Sequence, residues 1–337
     1  MLIKVSILMP VRNEAGHIQR SLEAVLMQDY PPEHMEVLVA DGMSEDGTRL
    51  IVESYRAAHP NLRLVDNPGK IVPTGLNAAL RVAQGEIIIR VDGHTIIAPD
   101  YVRQCVAALE RSGADNVGGR MDTLGQGGFG AAVARATSSP FGVGGARFHY
   151  SESEEWVDTV YLGAWPRRVF EQVGLFDEEL VRDQDDEFNY RLRENGGRIL
   201  LSPAIRSVYT VRSMPHKLWK QYFQYGYWKV RVLQKHPRQM RPRQFVPPAF
   251  VISLLAALAL ALVTPVGGWL LAGIGGAYLA ANLGAATLTA ARRSWQHFLL
   301  LPMVYAILHL SYGSGFLVGL VRFANRWGDK LGKVPSL

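Results

Sequence analysis

The chain has 337 residues, 48% of them hydrophobic, a composition typical of folded proteins rather than of disordered ones. Its single cysteine, Cys105, excludes an intrachain disulfide, as expected of a domain in a reducing compartment. The net charge at pH 7 is +6, and many basic residues lie within residues 217–243, directly before a long apolar region. Basic residues at such a position bind anionic lipid, so they indicate a membrane surface as partner and argue against nucleic acid.

Short apolar strands alternate with helices in the first hundred residues. The strands are predicted at residues 5–9, 37–40, 62–65 and 86–91. Asn13 is predicted to cap the first helix, which runs to about Met27, and Pro73 and Gly85 bound the third. This alternation predicts an α/β fold with a mostly parallel sheet. The chain opens directly into its first strand, and no signal peptide is predicted.

Two of the predicted strands end in an aspartate. Asp41 lies in VADGMSEDGT and Asp92 lies in IIIRVDGHT. Ligands of open α/β sheets bind at the carboxyl ends of the strands, so this pair predicts a nucleotide site. Alternatively, each aspartate begins a solvated turn, since Asp-Gly is a common turn pair. The sequence contains neither a G-x-x-x-x-G-K-[ST] loop nor a G-x-G-x-x-G motif after its first strand, which argues against a P-loop NTPase or a Rossmann dehydrogenase.

Two further residues suit a diphosphate and its metal ion. His94, two residues after Asp92, could place a second ligand on one cation, and its imidazole favours Mn²⁺ over Mg²⁺. Alternatively, His94 is a surface residue in a turn. Lys70 precedes a helix whose N-terminus favours anions, so we expect Lys70 near the diphosphate.

Acidic residues crowd the start of a predicted helix in LVRDQDDEFNYRL. They are Asp183, Asp185, Asp186 and Glu187. Crowded carboxylates raise one another's pKa, which suits a general base. Alternatively, they lie there only because the N-terminus of a helix favours negative charge.

The second half of the chain is predicted to contact the membrane. Residues 214–236 form a helix rich in tyrosine, tryptophan and lysine, which suits the headgroup layer; alternatively, it is a packed helix with a solvated basic face. Three apolar segments follow at residues 246–263, 268–291 and 298–321, and YGSG at residues 312–315 is expected to interrupt the third.

The basic residues that follow the third segment conflict with three membrane spans. They are Arg322, Arg326, Lys330 and Lys333. Three spans would place them on the outer side, against the positive-inside rule. A kinked or re-entrant third segment would remove the conflict.

The predicted organisation therefore has four parts. A catalytic domain covers residues 1–213, a basic interfacial helix and linker residues 214–245, a transmembrane region residues 246–323 and a basic tail residues 324–337. Within the first part, the glycine-rich stretches LGQGGFG and SSPFGVGGARF predict a mobile flap over the site or, alternatively, a connecting loop.

The motifs together resemble glycosyltransferase family 2, whose members have the GT-A fold. SILMPVRNE resembles the family's opening strand and P-x-x-N-E segment, ADGMSEDGT its D-G-S-x-D-G-T, and NPGKIVPTGLNAAL the segment that follows. RVDGH stands in the place of the D-x-D metal motif, VGLFDEEL resembles G-x-F-D-E-x-L, and QDDEFNYRL resembles the E-D-x-x-L-x-x-R-L acceptor motif. These matches keep the family's order and span residues 5–192. The whole chain is most similar to membrane-anchored glucosyltransferases of the succinoglycan-biosynthesis type.

The resemblance implies a donor site at the strand ends. Pro10, Arg12 and Glu14 would line the nucleotide pocket, and Asp41 would contact the base. Asp92 would meet the diphosphate and its metal ion.

The resemblance also implies that Asp186, with Asp185 beside it, is the catalytic base. Two departures from the family pattern matter. His94 replaces the second aspartate of D-x-D, which affects the choice between Mn²⁺ and Mg²⁺. QYGYW has Tyr227 where the Q-x-x-R-W motif of processive synthases has arginine, which argues against a polymerising synthase.

The function implied is that of an inverting enzyme of the inner (plasma) membrane, with its catalytic domain on the cytoplasmic face. It would transfer a hexose, expected to be glucose, from a nucleotide diphosphate sugar, expected to be a UDP-sugar. The acceptor would be a lipid-linked saccharide in exopolysaccharide or cell-surface polysaccharide synthesis. One alternative is a polyprenyl phosphate acceptor, as in dolichol-phosphate-sugar synthases. A remoter alternative is a non-catalytic membrane subunit that binds nucleotide sugar.

Overall fold

The computed structural model describes residues 2–329, 332 and 334–337. The chain divides into two compact units. The first unit comprises Met1–Asp122, Arg147–Tyr209 and Leu331–Leu337, and the second comprises Thr123–Ala146 and Thr210–Lys330. Lys330 and Lys333 of the predicted basic tail lie outside the described residues. The four-part division expected from the sequence stays a prediction.

The first unit is built on one mixed sheet. Its strands are β1 (Val5–Val11), β2 (Met35–Asp41), β3 (Leu62–Asp66), β4 (Ile87–Arg90), β5 (Thr95–Ile97), β6 (Asn116–Leu124), β7 (Glu155–Trp156), β8 (Tyr161–Pro166) and β9 (Ile199–Thr210). They lie in the order β3-β2-β1-β4-β8-β6-β9-β5, and β7 pairs with β9. The four strands from β3 to β4 are parallel, whereas β8 pairs antiparallel with both β4 and β6. The predicted α/β class is confirmed, and the parallel arrangement holds for this half of the sheet.

Helices cover both faces of the sheet. They are α1 (Ile18–Leu26), α2 (Thr48–Arg56), α3 (Val72–Val82), α4 (Tyr101–Ser112), α7 (Arg168–Val173) and α8 (Gln184–Glu194), while α5 (Gly127–Thr137) and α6 (Pro140–Val143) belong to the second unit. Alternate residues of a strand point to opposite faces, so Ile7 and Met9 of β1 join one apolar core and Leu8 joins the other. The parallel strands β1, β2 and β4 are buried on both faces, as their continuous apolar sequences predict, whereas the edge strand β3 is partly exposed.

The predicted N-cap at Asn13 is wrong. Helix α1 begins at Ile18, and Asn13 instead adopts a left-handed conformation with φ 53°. Its backbone N–H donates to Ser44 Oγ at 2.9 Å, and its Oδ1 accepts the N–H of Glu45 at 3.0 Å. Because its hydrogen bonds are made to the loop after β2, Asn13 ties the two strand ends together rather than starting a helix.

The second unit is helical. Besides α5 and α6 it contains α9 (Pro215–Lys235), α10 (Val246–Ala261), α11 (Pro265–Arg292) and α12 (Leu301–Arg322). Three helical segments within the described residues are long and apolar enough to cross a membrane: Pro242–Ala261, Pro265–Arg292 and Phe298–Arg322.

The expected interruption at YGSG does not occur, because α12 is one continuous helix. Its glycines allow neighbouring backbones to approach closely. A Cβ at Gly315 would collide with the carbonyl of Phe223 in α9, and one at Gly313 would lie 2.5 Å from the carbonyl of Pro247 in α10. Small residues at helix interfaces serve this purpose in membrane proteins.

The prediction of a flap or connecting loop is wrong for the glycine-rich stretches, since they contain α5 and α6. Both helices pack on α12. The hydroxyl of Tyr305 contacts Ser139 Oγ at 2.9 Å, and His309 Nε2 lies 2.8 Å from the carbonyl of Phe141. These tertiary contacts, with buried Ala132 and Val133 in α5, stabilise helices that the local sequence does not predict.

Candidate active site

Asp41 ends β2 and is completely buried. Its carboxylate accepts the N–H of Ser44 at 3.2 Å and lies 3.5 Å from Nη1 of Arg49. Both partners come from the loop and helix that follow β2. The carboxylate is therefore fixed at the carboxyl edge of the sheet, where the sequence predicts a nucleotide base.

Lys70 and Arg12 lie beside one another at this edge. Lys70 has a left-handed backbone with φ 61°, and its N–H donates to the carbonyl of Asn67 at 3.1 Å. Nη1 of Arg12 donates to the Lys70 carbonyl at 3.4 Å. The N–H of Asn67 donates to the Asp41 carbonyl at 2.9 Å, so the loop after β3 connects Lys70 to Asp41. Pro10, inside β1, is part of the same edge, and a Cβ at Gly75 would lie 3.4 Å from it.

Asp92 follows β4 and forms a forked ion pair with Arg90. Nε of Arg90 donates to one carboxylate oxygen at 2.8 Å and Nη2 to the other at 3.1 Å. Burial alone would raise the pKa of Asp92, but the charge and hydrogen bonds of Arg90 outweigh it and lower this pKa below the usual carboxyl value. Burial alone would lower the pKa of Arg90, but the charges of Asp92 and Asp185 outweigh burial and raise this pKa above the usual arginine value.

His94 contacts the loop after β1. Its Nδ1 lies 3.0 Å from Oε1 of Glu14, and its ring packs edge-on against Tyr209 with centroids 5.5 Å apart. A carboxylate on Nδ1 fixes the orientation of an imidazole and leaves Nε2 for another partner. His94 is therefore held in place within the site and is not a loose surface residue of a turn.

The acidic residues at the start of α8 have two different roles. Glu187 is buried and pairs with Arg191 one turn later at 3.0 Å. Arg191 in turn donates to the carbonyl of Leu175 at 2.7 Å, so this pair holds α8 to the loop after α7. Asp185 and Asp186 are half-buried in the first turn, and the N–H of Asp186 donates to Asp185 Oδ1 at 3.0 Å.

These contacts bring the sequence-predicted residues into two neighbouring groups. Around Asp41 lie Pro10, Arg12 and Lys70. His94 and Glu14 lie around Asp92. Asp185 belongs to the same group, because its charge helps to raise the pKa of Arg90. Arg12 and Glu14 belong to the same short loop after β1, which joins the two groups.

The donor atoms around Asp92 fit a cation that is shared with a diphosphate. Within the residues that the structure describes, no group of three His, Cys, Asp or Glu side chains converges on one point. Asp92 and His94 offer one carboxylate and one imidazole. An ion such as Mg²⁺ or Mn²⁺ is commonly held by one or two protein ligands with phosphate oxygens and water completing its shell.

Sequence reasoning gave no role to Arg90 or Tyr161. Arg90 is only 5% exposed, and its Nη1 is buried without a hydrogen-bond partner in the described part of the chain. The Tyr161 hydroxyl contacts Thr95 Oγ1 at 2.6 Å; burial, and then the charge of Asp92, raises its pKa. An arginine within the apolar strand IIIR was the available signal, because a buried arginine requires a charged partner.

The mixed sheet with acidic strand ends is the arrangement of a sugar-nucleotide transferase of the GT-A class, and comparisons with known proteins agree. The model of glycosyl transferase family 2 matches residues 6–171. The succinoglycan biosynthesis protein ExoA of Rhizobium meliloti is 32% identical over 327 residues, which cover 95% of this chain and 96% of that protein. The chain therefore belongs to glycosyltransferase family 2 and is an enzyme.

One further relative is named for transfer to a dolichyl-linked sugar, and two solved structures share the fold. The dolichyl N-acetyl-α-D-glucosaminyl phosphate 3-β-D-2,3-diacetamido-2,3-dideoxy-β-D-glucuronosyltransferase of Methanococcus voltae is 28% identical, covering 68% of this chain and 74% of that protein. Among solved structures, the mannosyltransferase PcManGT of Pyrobaculum calidifontis, in complex with GDP-Man and Mn²⁺, has a TM-score of 0.61 at 23% identity and covers 94% of this chain and 88% of its own. S. aureus TarS 1-349 with UDP-GlcNAc has a TM-score of 0.53 at 18% identity, with 96% and 92% covered. These two structures show a shared fold.

Proposed function

We propose that the enzyme transfers a hexose from a nucleotide diphosphate sugar to a lipid-linked saccharide, with inversion at the anomeric carbon. We take the hexose to be glucose and the donor to be a UDP-sugar. The reaction would serve exopolysaccharide or cell-surface polysaccharide synthesis at the cytoplasmic face of the inner membrane. The similarity to ExoA over nearly the whole of both chains supports this assignment.

The observation that carries the proposal is the ion pair of Arg90 and Asp92 at the end of β4. It places a fixed carboxylate and a permanent positive charge at the edge of the sheet where α/β enzymes bind nucleotides. The charge of Asp185 acts on the same arginine, so the acidic start of α8 is close to this edge. A donor sugar bound here would have its diphosphate near Asp92 and its anomeric carbon toward α8.

The reaction uses Asp186 as the base. Asp186 accepts the proton of an acceptor hydroxyl, and the hydroxyl oxygen attacks the anomeric carbon from the side opposite the diphosphate. The new glycosidic bond forms as the bond to the diphosphate oxygen breaks, and the nucleoside diphosphate leaves with the bonding electrons. The half-buried first turn of α8 suits this role, since part of the carboxylate must remain accessible to the acceptor. Asp185 accepts the Asp186 N–H and holds that turn in place.

Asp92 and His94 would hold a divalent cation, Mn²⁺ or Mg²⁺, whose chemistry when bound is to neutralise charge on the departing diphosphate. His94 is positioned for this by Glu14, which contacts its Nδ1. Arg90 keeps the Asp92 carboxylate in one orientation, and its buried Nη1 offers a further N–H at this position. On the other side of the site, Lys70 and Arg12 supply positive charge for the diphosphate, and Asp41 and Pro10 contact the nucleoside.

A lipid-linked saccharide is favoured over polyprenyl phosphate as acceptor. The M. voltae relative is named for transfer to a sugar that is already attached to a dolichyl phosphate. A sugar hydroxyl needs a base, whereas a phosphate nucleophile does not. The three apolar helices suit an acceptor whose tail remains in the membrane.

The test is glycosyl transfer by the purified full-length protein in detergent, with UDP-, GDP- and dTDP-hexoses as donors and the product anomer determined by NMR. The Asp186→Asn variant should lower kcat about a hundredfold or more and leave donor affinity unchanged. Asp185→Asn should cost less. Glu194→Gln, at the exposed far end of the same helix, is the matched control and should leave kcat unchanged. A kcat of Asp186→Asn close to that of the wild type would refute the base and support a phosphate acceptor.

A further inference from the structure

Residues beyond α12 return to the first unit, which contains the candidate active site. The N–H of Leu175 donates to the carbonyl of Pro335 at 2.9 Å, and a Cβ at Gly174 would lie 3.0 Å from the Val334 side chain. Leu175 itself is completely buried. Residues 334 and 335 are therefore on the same side of any membrane as this first unit.

This return restricts how often the chain crosses the membrane. The first unit holds the chain up to Tyr209 and again from Val334. Between these residues the chain must cross an even number of times, because it leaves and re-enters the same compartment. The described residues provide three helices long and apolar enough to cross, which is an odd number. Either two of the three helices cross the membrane and one does not, or none of the three crosses it.

Burial distinguishes α12 from the other two. In its most apolar stretch, 44% of the residues are buried within the protein, against 17% for the helix that includes α10 and 11% for α11. Helices α10 and α11 are joined by residues 262–264 and expose apolar side chains such as Leu255 and Leu279. A helix that is apolar all round and has little protein contact requires lipid around it. Helices α10 and α11 therefore form the spanning hairpin.

Besides α10 and α11, the partners of α12 include helices with charged and polar groups. Helix α9 runs alongside it, and the two backbones approach closely: a Cβ at Gly226 would collide with the carbonyl of Tyr312, and one at Gly319 would lie 2.6 Å from the carbonyl of Tyr227. Arg231 of α9 is completely buried in this interface.

The end of α12 is held by α9. The side chain of Gln234 donates to the carbonyl of Phe323 at 2.8 Å, and Arg231 donates to the carbonyl of Asp329 at 3.2 Å. At the other end, Nη1 of Arg135 in α5 donates to the carbonyl of Gln296 at 2.6 Å. Side chains of α5 and α9 therefore hold both ends of the segment that contains α12.

We infer that α12 does not cross the membrane: the chain is anchored by the α10–α11 hairpin alone, and α12 lies on the same side as the active site, packed against α5, α6 and α9 as well as against α10 and α11. Arg292 and Arg322, at the ends of α11 and α12, then lie on one side together with Arg243 before α10. This distribution obeys the positive-inside rule, which three spans would violate. The inference holds whatever sugar the enzyme transfers.

The test introduces one additional cysteine at a time and labels it with a membrane-impermeant maleimide in sealed vesicles of each orientation. The wild type is the background control, because Cys105 is buried and burial raises the pKa of its thiol. Glu33→Cys, exposed in the first unit, marks the side of the active site. Gln296→Cys and Ser336→Cys should be labelled in the same vesicles as Glu33→Cys, and Val263→Cys, 77% exposed between α10 and α11, only in vesicles of the opposite orientation.

Labelling of Gln296→Cys and Ser336→Cys from opposite sides would show that α12 crosses and would overturn the inference. Labelling of Val263→Cys from the side of Glu33→Cys would overturn the hairpin. If one variant does not accumulate, Thr264→Cys and Arg293→Cys report on the same two loops. Since labelling does not depend on turnover, failure of the proposed sugar transfer leaves this result readable.

Discussion

Replacing Arg90 by methionine should destabilise the first unit by about 3 kcal/mol, because it leaves the Asp92 carboxylate buried without its partner. Both side chains are largely buried, with 6% and 15% of their surface exposed, and two hydrogen bonds of 2.8 and 3.1 Å join them. Removing one member of a buried ion pair costs roughly 3–5 kcal/mol, and the residual exposure of Asp92 favours the lower value. For a domain of this size the change corresponds to a fall of about 6–12 °C in the unfolding temperature, measured by scanning fluorimetry.

The control for this prediction is a double-mutant cycle. Asp92→Asn alone leaves Arg90 buried and unpaired and should also destabilise. The combined Arg90→Met/Asp92→Asn variant should lose less than the sum of the two single losses, with a coupling of about 2 kcal/mol. Additive losses would show that the two side chains do not stabilise one another and would refute the reasoning.

The pH dependence of stability gives a second readout of the same pair. The pKa of Asp92 is lower in the folded protein than in the unfolded chain, so the pair stabilises the fold above the ordinary carboxyl pKa of about 4. This contribution should disappear as the pH falls through the lowered pKa. In Arg90→Met, burial is left to raise the pKa of Asp92 above its value in the unfolded chain, so the sign reverses: the variant should gain stability as the pH falls through the raised pKa, whereas the wild type loses it.

Three further predictions test the metal site, the helix packing and the returning segment. His94→Asp should shift the preference for donor binding, measured by calorimetry, from Mn²⁺ toward Mg²⁺, since a carboxylate is a harder ligand; an unchanged ratio would remove His94 from the metal site. Gly315→Leu should lower the unfolding temperature by several degrees because its side chain would collide with α9, whereas Gly276→Leu on α11, which has open space around it, should not; equal effects would contradict the packing of α9 on α12. Deletion of residues 334–337 should destabilise the first unit by about 1–3 kcal/mol, because the N–H of buried Leu175 loses its acceptor, the Pro335 carbonyl. An unchanged unfolding temperature would count against that hydrogen bond.

The features of the site that the sequence predicts are those specified by local patterns. Continuous apolar stretches predict buried parallel strands, and an aspartate directly after such a stretch must lie at the sheet's carboxyl edge. Asp41 and Asp92 lie there for that reason. The fold class, the family and three apolar helices follow from equally local signals.

The features that the sequence does not predict depend on contacts between distant residues. Asn13 is a good N-cap by residue type, but in this fold its backbone N–H and its side-chain Oδ1 form hydrogen bonds with the loop after β2. The glycines of α12 weaken a helix in isolation, yet close packing of α9 and α10 makes them necessary. The pairing of Arg90 with Asp92, two residues away, becomes meaningful only when burial of both is known.

The hydrogen bond between Leu175 and Pro335 also sets an order of events during biosynthesis. Residues 334–337 leave the ribosome only after both helices of the apolar hairpin have been made. Leu175, synthesised some 160 residues earlier, must wait for its backbone acceptor until then. The first unit thus acquires this tertiary contact only after both apolar helices have been synthesised, so that this part of its fold forms after they are available for insertion.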